Sequence, residues 1–108
     1  MPYIITFAKW PSDKTSEVLK IAIEVTKKYP EDTSLGDNVV PNAVYASTEG
    51  LKTIGVAEVK KGKLQEALAR AWEISAIYGT QIEGFEYSIE VWATVLEAYS
   101  AIGKTPPE

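Results

Sequence analysis

Histidine and cysteine are both missing from this chain of 108 residues. Without cysteine there are no disulfides, no cysteine-held iron–sulfur clusters and no thiolate nucleophiles. Without histidine there is no Ser-His-Asp relay, no His-ligated haem and little scope for zinc. No cofactor or metal is therefore expected. Arginine is nearly absent as well: Arg70 stands alone beside ten lysines, and the net charge is −4. That balance lacks the basic footprint of a nucleic-acid binder. No apolar run approaches the roughly 20 residues of a membrane span, so neither nucleic acid nor membrane is an expected partner. Met1-Pro2-Tyr3 leads directly into strand-like sequence without a signal-peptide pattern, which makes a cytoplasmic location the expectation.

What is present suffices for one modest core in a single domain, residues 1–108, with 45% hydrophobic residues and three tryptophans. Tyr3 to Lys9 reads as a strand. Ile4, Thr6, Ala8 and Trp10 share one parity and Tyr3, Ile5 and Phe7 the other; both sets are mostly apolar, as in a central strand covered on both faces. Pro11 stops it, and Ser12 or Asp13 is placed to cap a helix over about Asp13–Tyr29. Val18, Ala22, Val25 and Tyr29 form the stripe of that helix. Leu19 and Ile23 make a second apolar pair off the stripe, either the margin of a broad buried face or a contact with another subunit.

Residues 30–42 are punctuated by Pro, Gly and Asn and read as a long loop, within which Val39 and Val40 could pair briefly. Ala43–Ser47 and Leu51–Val59 flank Glu49-Gly50 as a hairpin. Gly55 and Ala57 share a parity there, a sign of close approach by a helix or another backbone. A second helix follows, with Leu64, Leu68, Ala71, Ser75 and Tyr78 as its stripe, Trp72 beside it, and Gly79 at its C′ position. The last strand, about Glu83–Trp92, alternates most clearly: Phe85, Tyr87, Ile89 and Val91 point one way, Glu86, Ser88, Glu90 and Trp92 the other. Leu96–Ile102 suggests a short helix before the tail from Lys104 to Glu108.

Assembled as βαββαβ, the chain resembles the dimeric α+β-barrel group of ferredoxin-like proteins, and within it a small uncharacterised family. The likeness rests on Lys9-Trp10-Pro11 at the end of the opening strand, the Gly-bounded hairpin before the second helix, and Ile89-Glu90-Val91 before an alanine-containing tail. The long 30–42 loop departs from it. The resemblance implies a four-stranded antiparallel sheet with two helices on one face. It also implies a homodimer, or a higher even-numbered oligomer, formed sheet against sheet. Some members of the group are cofactor-independent monooxygenases, and haem-handling members generally use a histidine that this chain lacks.

In the resembling fold Glu86 and Glu90 would face the barrel between two subunits, where carboxylates could act as acid and base. Four residues along a strand span about 13–14 Å, beyond the roughly 5–9.5 Å of a glycosidase pair. Only a two-fold axis could bring such carboxylates together, and a wet or salt-bridged strand face is the plainer reading. Thr6, Trp10, Tyr45 and Trp92 join the two glutamates as candidates to line a pocket for a small organic ligand, although aromatics at strand positions usually serve as core or interface, and Trp72 on its helix stripe reads as core. Lys60, Lys61, Gly62 and Lys63 at a helix N-terminus form a candidate anion site, or else solvated lysines. The resulting expectation is a homo-oligomeric module with a small ligand held between subunits. The alternatives are a cofactor-free monooxygenase- or isomerase-like enzyme and a subunit that meets its partner through the 30–42 loop.

Overall fold

The structure, a computed structural model, describes residues 1–107; Glu108 of the expected tail lies outside them. Its element order is β1 (Tyr3–Trp10), a 3-10 turn over Ser12–Lys14, α1 (Thr15–Lys28), β2 (Gly36–Ser47), β3 (Gly50–Val59), α2 (Leu64–Gln81), β4 (Glu86–Trp92) and α3 (Val95–Ala101). The four strands make one antiparallel sheet in the order β2-β3-β1-β4. Each long helix carries the chain over one intervening strand, α1 over β3 and α2 over β1. The class is α+β.

Register settles which residues share a face. Thr6 lies opposite Gly55 and Ile89, and Ala8 opposite Thr53 and Tyr87. This parity of β1 faces the helices: Trp10 and Ala8 pack with Val18, Ile21 and Val25 of α1 and with Ile74, Ile77 and Tyr78 of α2. Trp10 stacks on Phe85 at 5.9 Å, and Phe85 on Tyr78 at 5.3 Å. The other parity, Tyr3, Ile5 and Phe7 with Ile54, Val56 and Trp92 paired across from it, forms the helix-free face. The apolar character of that face therefore comes from these residues and not from Ile4, Ala8 and Trp10, which the helices cover.

Several boundaries differ from the expectations. The segment 30–42 is only partly loop, because β2 begins at Gly36. Two irregularities, between Asn38 and Val40 and between Val40 and Ala43, let an edge strand absorb Pro41 and the asparagines. Neither Ser12 nor Asp13 caps α1: Pro11 precedes the 3-10 turn, and Lys14 precedes α1 without a side-chain cap. Gly79 does not end α2, which continues to Gln81. A β-carbon at Gly79 would lie 2.7 Å from the Tyr87 ring, so glycine is there to let α2 approach β4. Trp72 is 55% exposed rather than core and meets Tyr87 edge-on. Leu19 and Ile23, at 61% exposure each, do not belong to a broad buried face. The short terminal helix is present and carries a complete capping box between Thr94 and Glu97.

Candidate functional site

Aromatic side chains from β1, from α2 and from β4 with the residue before it pack together at one end of the helix–sheet layer. Toward β3 and β2 the sheet surface is made of Thr6, Thr53, Gly55 and Ala57, too short to reach the helices. The resulting cleft has a volume of about 570 Å³ and opens beside the residues that follow α1. Its walls are Val18, Ala22 and Val25 of α1, Ala71, Ile74 and Tyr78 of α2, and the irregular stretch of β2. Gly55 and Ala57 lie on the floor of this space, and the backbone that comes into contact with the Gly55 side-chain position is that of β2.

The mouth is held by contacts between α2 and the residues after α1. The Arg70 guanidinium donates to the carbonyl oxygens of Tyr29, at 3.1 Å, and Pro30. It also lies over the Tyr29 ring, 5.7 Å from the centroid. The Tyr29 hydroxyl donates to Glu73 at 3.1 Å. Beyond this clasp Glu31 and Asp32 line the opening. The hydroxyl and amide of Ser34 donate to Asp32 and hold its carboxyl below the usual range. Burial pushes the Tyr78 phenol upward, so this half-buried group on the wall is a proton donor at neutral pH.

The sequence candidates do not assemble into one pocket. Thr6 and Trp10 lie on the helix side and line the cleft. The Trp10 indole N–H donates to Thr15 Oγ1 at 3.2 Å. Glu86, Glu90, Trp92 and Tyr45 lie across the sheet from them, exposed on the helix-free side in a single chain. There Lys9 reaches Glu86 at 3.4 Å, and Glu90 accepts from the Trp92 indole at 2.9 Å and from Ser88 at 3.4 Å. These are the contacts of a salt-bridged strand face. Of the lysine group, Lys60 and Lys61 are exposed, Gly62 turns the chain at φ +79°, and Lys63 pairs with Glu66 at 3.7 Å. Glu66 already complements the positive end of α2. No group of three or more acidic residues among the described residues is arranged to hold a metal, and no described helix is long and apolar enough to cross a membrane.

Sequence reasoning missed Gly55 with its β2 neighbours, Arg70 and the mouth acids. A run of small residues on one strand parity was the available signal, together with a lone arginine facing a Pro-containing segment. Fold and cleft define an α+β domain with an open space of about 570 Å³ between its helices and its sheet. Compared with family models, curated proteins and solved structures, the chain matches none of them.

Proposed function

We propose that this is a ferredoxin-like domain of the dimeric α+β-barrel kind that binds a small, largely apolar molecule in the cleft of each protomer. The observation that carries the reading is the cleft itself. Its volume of about 570 Å³ falls within the roughly 300–1,000 Å³ of small-molecule sites, and its walls are apolar with a few polar groups. The fold assignment is supported by the element order and by the two crossovers, which leave β1 and β3 central.

Self-association belongs to the same proposal. Tyr3, Ile5, Phe7, Ile54, Val56 and Trp92 share the helix-free face, with Lys9, Lys52, Glu86 and Glu90 around them. A face carrying both charge signs around an apolar centre can pair with its own two-fold copy. Leu19 and Ile23 supply a second apolar site for larger even-numbered assemblies. Specific interfaces bury about 1,200–2,000 Å² in total. Light scattering on Phe7→Glu should return half the wild-type mass; a monomeric wild type would refute the pairing.

Ligand binding is tested with a neutral solvatochromic dye. The wild type should bind one dye per chain, and Thr6→Leu/Thr53→Leu, which raises the cleft floor, should keep its circular dichroism and lose the dye. Equal binding by both proteins would place the dye elsewhere and overturn the reading.

A further inference from the structure

The cleft has a cluster of acceptor oxygens on its floor. There, two residues of β2, Pro41 and Asn42, lie opposite the single residue Gly55 of β3. Such a bulge leaves backbone groups outside the regular ladder. The missing side chain of Gly55 makes a hollow where those groups gather. A β-carbon built there would have Asn42 Oδ1 and the Pro41 carbonyl at 3.5 Å and the Val40 carbonyl at 3.8 Å. Three oxygen acceptors thus lie within 4 Å of the point a Gly55 side chain would reach, and all three of their residues line the cleft. Two are backbone carbonyls, which cannot act as donors.

The charge on the walls has the same sense. Glu31 and Asp32 stand at the mouth, and Arg70 is the one cationic side chain on the walls among the described residues. One of its two terminal nitrogens donates to the carbonyls of Tyr29 and Pro30. A carboxylate entering this space would meet two acids on the walls and the acceptor oxygens at the floor, with the rest of the Arg70 guanidinium as its one cationic partner. A protonated amine would find acceptors for its three donors.

Resting on the cleft reading above, we propose that the ligand is an organic amine, with an apolar body against Trp10, Val25 and Ile74 and its ammonium head seated at Gly55 between Asn42 and the carbonyls of Val40 and Pro41. Phenethylamine, phenethyl alcohol and hydrocinnamate share one body and differ in the head. Each is titrated into the full-length protein and followed by the amide resonances of Gly55 and Asn42 and the indole resonance of Trp10. Phenethylamine should bind tightest, and hydrocinnamate at least about tenfold more weakly. Gly55→Ala keeps the fold, because its β-carbon makes only ordinary contacts, and it covers the acceptors. It should bring the amine down to the affinity of the alcohol while the alcohol changes by less than about twofold. Asn42→Ala should weaken the amine in the same selective way. Hydrocinnamate binding as tightly as phenethylamine, or an amine preference that survives Gly55→Ala, would overturn the assignment and leave the cleft intact as a site. If none of the three compounds moves a cleft resonance, the cleft reading falls, and this inference with it.

Discussion

The two ends of the helix–sheet layer are built on different principles. At one end Trp10, Phe85 and Tyr78 stack in sequence, with Val18, Ile21, Val25 and Ile82 closing around them. At the other end the same two helices face Thr6, Thr53, Gly55 and Ala57, and a cleft remains. The large rings of the first region line the cleft as well, and the small residues of the second leave its floor open. A hollow site can therefore be made by small side chains on one stretch of a sheet, without any lid or insertion.

The largest expected effect lies at the packed end. Trp10→Ala removes the stacked ring and its hydrogen bond to Thr15 and should cost about 3–5 kcal/mol, measured by urea unfolding. At the hollow end Thr53→Leu adds apolar volume where a filled core would charge about 1–3 kcal/mol for overpacking. Here it should change stability by less than about 1 kcal/mol, and a cost equal to that of a filled core would break the comparison. Arg70→Ala, which unfastens the mouth, should cost about 1 kcal/mol and speed amide exchange at Leu35 more than in the centre of β1.

The smallest effect should lie outside the layer, at α3. Hydrogen bonding to the Thr94 amide, then to the N-terminal ammonium, holds Glu97 below the usual glutamate range. A depressed folded value means that the contribution is present above the unfolded pKa and is lost as pH falls through the folded one. Amide exchange in α3 should therefore rise on acidification before that of β1 and β3, and Glu97→Gln should flatten this response.

Much of the fold was legible because it was written in period. The stripe Val18–Val25 and the alternation from Phe85 to Trp92 each had one reading, and the structure has α1 and β4 at those places. The first strand was harder. Both its parities are apolar, so hydrophobicity alone could not say which one the helices take, and Thr6 and Trp10 were grouped with glutamates that lie across the sheet. The start of β2 was hidden because Pro41, Asn38 and Asn42 carry the chemistry of a loop, while a bulged edge strand accepts them. Gly79 carried a helix-stop signal whose real cause, the Tyr87 ring, lies on another element. The cleft was out of reach, since it depends on a distance between layers that no local pattern encodes.

The irregular stretch of β2 bears on colloidal behaviour as well. Open sheet edges are templates on which further chains can add without end. On this edge Pro41 has no amide hydrogen to offer, and the shifts around Val40 break the even spacing that an incoming strand would need. The opposite edge, β4, is only 7 residues long. Strand-by-strand growth is thus discouraged on both sides. The proposed pairing, face against face, would instead give assemblies that close and stop growing.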